Sequence, residues 1–108
     1  MKIVRNSVIP FEGFKAVTIF PFIFVREGAE FTVEDYNHER IHGRQQIEML
    51  IVPFFVWYLV EWVVKLFLGS GNAYKRISLE REAFENESDL DYLSKRKHYA
   101  WTKYLFNS

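Results

Sequence analysis

His38-Glu39-Arg40-Ile41-His42 is the stretch of this 108-residue chain whose residue types and spacing can do chemistry. On an α-helix, two histidines at i and i+4 lie one turn apart on one face, where both imidazoles can bind a single Zn²⁺. The glutamate between them is rotated by ~100° from the first histidine. From there its carboxylate reaches a water at the metal's open position and can serve as general base. A chain of this composition carries H-E-x-x-H by chance roughly once in a hundred, so the motif needs a helix under it and a third ligand.

The third ligand must be His, Asp or Glu, because the chain contains no cysteine. The longer pattern H-E-x-x-H-x-x-G-x-x-H is excluded, since Gln45 and Glu48 stand where it needs Gly and His. A glutamate from a later helix is offered by the segment Ser78-Leu79-Glu80-Arg81-Glu82-Ala83. Glu82 is the first choice because the small Ala83 beside it lets two helices approach closely, and Glu80 and Glu85 are the alternatives. His98 reads as a surface or interface histidine, and Tyr74, Tyr92 and Tyr99 read as packing before oxyanion donors. Glu61 has two competing roles: holding the second N–H of a ligand histidine, or pairing with Lys65 at i,i+4.

The elements that must position these groups follow from local pattern. The first 27 residues have strand character, over Lys2–Arg5, Ser7–Phe11, Phe14–Phe20 and Ile23–Arg26, with a turn at Glu12-Gly13 and a bulge or edge at Pro21. Ala16–Val25 reads as strand rather than signal-peptide core, because it contains Pro21 and no small-residue cleavage site follows. Thr32 and Asp35 form a capping box, predicting a helix over about Val33–Leu50 that carries the motif. Winding it puts Asp35, His38, His42, Gln46 and Met49 on one side and Asn37, Arg40, Arg44 and Glu48 on a solvated side.

Leu50–Leu68 holds only Glu61 and Lys65 as charges. Two readings compete for it: a central helix buried between the sheet and other helices, which is the expected one, or a helix inserted in or lying on a membrane. Gly69-Ser70-Gly71-Asn72 stops it, Ser78 starts the next helix, and a last helix runs from Asp89 or Asp91 to about Phe106. The net charge is zero, which argues against a nucleic-acid partner; Lys95–Lys97 is too small a basic run to change that. No linker or repeat interrupts the chain, so residues 1–108 are read as one domain.

With H-E-x-x-H at His38–His42 and Glu82-Ala83 downstream, the chain resembles a short gluzincin-type metallopeptidase. The likeness runs from Asn37 to His98 (NHERIHGRQQIEML, YLVEWVVKLF, AYKRISLEREAF, YLSKRKHY) and extends to small metallopeptidase-like proteins of bacteria. It implies Zn²⁺ held by His38, His42 and Glu82, with Glu39 as general base in peptide-bond hydrolysis. Thermolysin-like relatives carry Asp four residues after the ligand glutamate to orient a zinc-binding histidine; here that position is Asn86.

The expected architecture is therefore α+β and zincin-like: a small antiparallel N-terminal sheet followed by about four helices, with the motif on the first. The expected partner is a peptide or protein substrate, docking along an edge strand at Ile23–Arg26, in the cytoplasm. The rival is a non-catalytic small protein that associates with a membrane or with itself through Leu50–Leu68, its zinc structural or vestigial.

Overall fold

The computed structural model describes residues 1–7, 14–68 and 72–105. The expected turn at Glu12-Gly13, most of the Ser7–Phe11 strand, the Gly69-Ser70-Gly71 stop and the helix end at Phe106 lie outside the described residues.

The α+β order holds. Strands β1 (Lys2–Asn6), β2 (Ala16–Ile19) and β3 (Phe22–Arg26) precede helices α1 (Val33–Met49), α2 (Ile51–Leu68), α3 (Ala73–Arg76), α4 (Ser78–Asn86) and α5 (Tyr92–Lys95), and a 3₁₀ turn follows at Ala100–Tyr104. The sheet is mixed rather than antiparallel. Its order is β1-β3-β2, with β1 parallel and β2 antiparallel to β3. β3 is central because Ile23 and Val25 are fully buried, the two positions of its pleat that face the core. That overturns Ile23–Arg26 as a docking edge: both of its sides are already hydrogen-bonded. Pro21 sits in the short connection between β2 and β3, where no ladder N–H is required of it.

The capping box forms as expected. Thr32 Oγ1 accepts from the Asp35 amide at 3.1 Å, and Asp35 Oδ2 accepts from the Thr32 amide at 3.0 Å. Lys15, just before β2, adds an ion pair to the same carboxylate at 2.8 Å. α1 packs against β2 on one side and α4 on the other, so its expected solvated side is only partly in water. Asn37 is buried, donating to the carbonyls of Asn86, Glu87 and Asp89, and Glu48 is buried in an ion pair with Arg96. The chain's first residue packs close to Gly43: a Cβ there would lie 2.8 Å from the tip of the Met1 side chain, which would have to move aside.

Two helical expectations are corrected. α2 is peripheral rather than central, since only Phe54 and Glu61 of its eighteen residues are buried. The last helix stops at Lys95, because Arg96 leaves helical backbone to point inward, where it pairs with Glu48 and Glu82. Behind α2, a core of Phe54, Ile77, Leu79 and Trp101 ties α2 to α4 and the C-terminal turn.

Candidate metal centre

α1 presents His38 and His42 on the face that meets α4, and α4 answers with Glu80. Glu80 Oε1 lies 3.1 Å from His38 Nε2 and 3.0 Å from His42 Nε2, and all three side chains are buried. His38, His42 and Glu80 thus form a buried group able to hold a metal ion, with one ligand atom from each within 4.8 Å of the others. A tetrahedral site with ligands at 2.0–2.1 Å needs ligand atoms about 3.3–3.4 Å apart, and the two histidine–glutamate separations are within a few tenths of an ångström of that.

The hydrogen bonds behind the triad set which nitrogen is free. His38 Nδ1 lies 2.7 Å from Glu87 Oε1, an acceptor, so that nitrogen carries the proton. His42 Nδ1 lies 2.8 Å from Gln45 Oε1. The Gln45 amide nitrogen already donates to the Leu79 carbonyl and to Glu82 Oε1, so its oxygen must accept from His42. Each ring therefore turns its Nε2 to the same point, Glu80 Oε1, the arrangement metal-binding histidines adopt. The second oxygen of Glu80 accepts from the Tyr58 hydroxyl.

Without a cation, the electrostatics run through Glu80. Burial works against a charged His42 ring, but the adjacent Glu80 carboxylate overrides it, and His42 is pushed up to about 9. Burial likewise opposes the Glu80 charge, and the two imidazoles hold its carboxyl well below the usual range. A metal at this point would satisfy the same groups.

Glu39 is buried beside the triad, its Oε1 fixed at 2.7 Å by the Thr18 hydroxyl of β2. It borders a cavity of about 420 Å³ whose polar end is Glu39, His42, Tyr58 and Glu80. The rest of the wall is largely apolar and includes Val17, Phe54 and Phe55.

Glu82, the first-choice ligand, is elsewhere. It takes Arg96, the Tyr92 hydroxyl at 2.6 Å and the Gln45 amide at 2.9 Å, in a buried cluster that also contains Glu48. The physical reason is helical phase: two residues along α4 is a rotation of ~200°, so Glu80 and Glu82 cannot face the same histidines. Glu85 pairs with Arg81 in solvent, and His98 is 86% exposed. Glu61 holds neither histidine; it accepts from the Ser78 amide and hydroxyl and pairs with Lys65 at 2.7 Å. Asn86 bonds the Glu82 carbonyl, and the carboxylate that orients His38 is Glu87 instead. Gln45 was legible as the i+3 neighbour of His42; Glu87 and Tyr58 carried no sequence signal.

No protein-family model, curated protein or solved structure matches the chain.

Proposed function

We propose that this chain is a zinc-dependent hydrolase of the gluzincin kind acting on peptide bonds, with His38, His42 and Glu80 as metal ligands and Glu39 as general base. The observation that carries the reading is the convergence of both Nε2 atoms on one Glu80 oxygen while both Nδ1 atoms are held by acceptors. Three protein ligands leave a fourth position open, which is the composition of a catalytic rather than a structural site.

A Zn²⁺ held there supplies Lewis acidity, lowering the pKa of a water and polarising a carbonyl. The chain's own residues do the rest. Tyr58 and the two histidines keep the Glu80 carboxylate in place, and Thr18 keeps Glu39 in one rotamer. Glu39 takes the water proton and returns it to the leaving amine. The apolar cavity receives a large apolar side chain of the substrate and keeps bulk water out. Entry through this cavity replaces strand addition, because the Gln46 amide already occupies the Thr18 carbonyl and the Phe20 amide on the edge of β2.

Metal analysis of wild type, Glu80→Ala and Glu82→Ala tests the ligand set: the first and third should hold one zinc per chain, the second none. Glu39→Gln should keep its zinc and lose cleavage of unfolded casein. A wild type that holds zinc but cleaves no peptide supports the second reading, a non-catalytic protein with a structural zinc, which the exposed apolar surface of α2 favours. No zinc in the purified protein after Zn²⁺ is added sinks both.

A further inference from the structure

α2 is built inside out. Eleven of its eighteen residues are exposed, and all eleven are apolar. Placed at 100° per residue, they fill a continuous arc of about 200°, running through Leu66, Val63, Val56, Val60 and Trp57. The polar groups of the helix all turn the other way and are bonded. Tyr58 donates to Glu80, Glu61 takes Ser78 and Lys65, Lys65 donates to the Arg76 carbonyl, and the Trp57 N–H reaches back to Glu61. A solvated helix shows the reverse pattern, and an apolar face of this extent marks a contact surface.

Two occupants of this surface make different geometric demands. A second helix, such as that of another copy, covers a stripe on the order of 100° wide, leaving about half of the arc in water. A lipid bilayer covers all of it. The direction of the helix follows from its inner face. Tyr58, Glu61 and Lys65 are tied to Glu80, Ser78 and Arg76 in turn, so the protein body runs alongside most of the helix. A spanning orientation would carry those charged groups, and the metal triad, to the depth of the acyl chains, where charge is expensive.

We propose that α2 lies in the plane of a membrane with its exposed arc sunk among the acyl chains, the body of the protein standing where an ordinary interfacial helix has its polar face. The arc has no charge, so the binding is to apolar lipid and not to anionic headgroups. The surface stands independently of any catalytic role: its outward residues are not those of the metal centre.

The chain has no cysteine, so single labels can be placed without background. Val52→Cys, Val60→Cys and Phe67→Cys, each carrying a nitroxide, should report equal depth in phosphatidylcholine vesicles. Greatest depth at position 60 with shallow ends would mean a spanning helix and overturn the in-plane geometry. Full-length wild type should float with the same vesicles at high salt. Val56→Asp combined with Val63→Asp should lower that partition at least tenfold, with the helical circular dichroism unchanged. Undiminished partition in the folded double variant overturns the proposal. So does a wild type that stays unbound as a dimer with its labels coupled between copies.

Discussion

α1 and α2 are neighbours in sequence and opposites in surface chemistry. α1 buries Asn37, His38, Glu39, His42, Gln45 and Gln46, whereas α2 exposes valines, leucines and a phenylalanine and buries a glutamate. Each inversion goes against the ordinary cost of burial, and each has its own compensation. Most of the polar groups of α1 are hydrogen-bonded within the molecule: the histidines to Glu80, Gln45 to Glu82, Glu39 and Gln46 to the β2 strand and its end, and the Asn37 amide nitrogen to three carbonyls. Their desolvation is thereby largely offset. The outward valines, leucines and Phe67 of α2 stay exposed among the described residues, so the contact that would compensate them is sought outside these elements. Buried polarity here marks a site, and exposed apolarity marks a surface.

The strongest way to break this contrast is at the two buried glutamates of α4. Glu80→Ala should lower zinc affinity by more than about a hundredfold, beyond what loss of an outer partner costs, as read by isothermal titration. Glu82→Ala should leave zinc affinity nearly intact and destabilise the fold by about 3 kcal/mol in urea unfolding. The latter loss is at the low end for a broken buried pair because Glu48 still faces Arg96. Reversed results would exchange the roles of the two clusters.

A pH series on metal-free protein sharpens the same point. His42 rises in the fold to about 9 from an ordinary 6.5, so its contribution to stability is complete below 6.5 and is lost as pH climbs through 9. Glu80 is lowered, so its contribution is present above its ordinary 4.5 and is lost only as pH falls through its depressed value. Metal-free protein should therefore melt highest between about 4.5 and 6.5 and lose melting temperature from 6.5 to 9. Zinc affinity should climb across that upper window as the ring gives up its proton. A melting temperature flat from 6.5 to 9 would mean that His42 and Glu80 are not paired.

Smaller effects follow. Glu87→Ala removes the acceptor that holds His38 Nδ1 and should weaken zinc by about 10- to 100-fold, with stability little changed. Smallest of all, Val60→Ser on the outward arc of α2 should shift unfolding free energy by less than about 0.5 kcal/mol, because that side chain is more than half exposed. Phe54→Ala on the inward face, two turns earlier, should cost about 3–5 kcal/mol. Equal costs at Val60 and Phe54 would mean that the outward face is packed after all.

Much of the site was legible before any fold. The H-E-x-x-H spacing, the Thr32 and Asp35 cap, and the need for a carboxylate ligand from Ser78–Ala83 are all local patterns, readable at helical periodicity. The choice between Glu80 and Glu82 was not, because it depends on the rotation of α4 about its axis. Nothing in its sequence states which of its two buried glutamates faces the histidines of α1. The solvated side assigned to Asn37 and Glu48 failed for a related reason: α1 is enclosed by later segments, and a helical wheel does not show what arrives to cover it.

What the sequence alone determined is the chemistry available: two imidazoles one turn apart with a carboxylate between them, no thiol, and a nineteen-residue apolar stretch, Leu50–Leu68, with two charges. These are properties of covalent spacing and composition. Tertiary structure decided how that chemistry is partitioned. It brought Glu80 to the histidines and sent Glu82 to Arg96, made β3 the central strand, and turned the two charges of α2 inward so that its apolar side faces out. Those outcomes depend on the relative rotation and order of packed elements, which long-range contacts set and local periodicity does not encode.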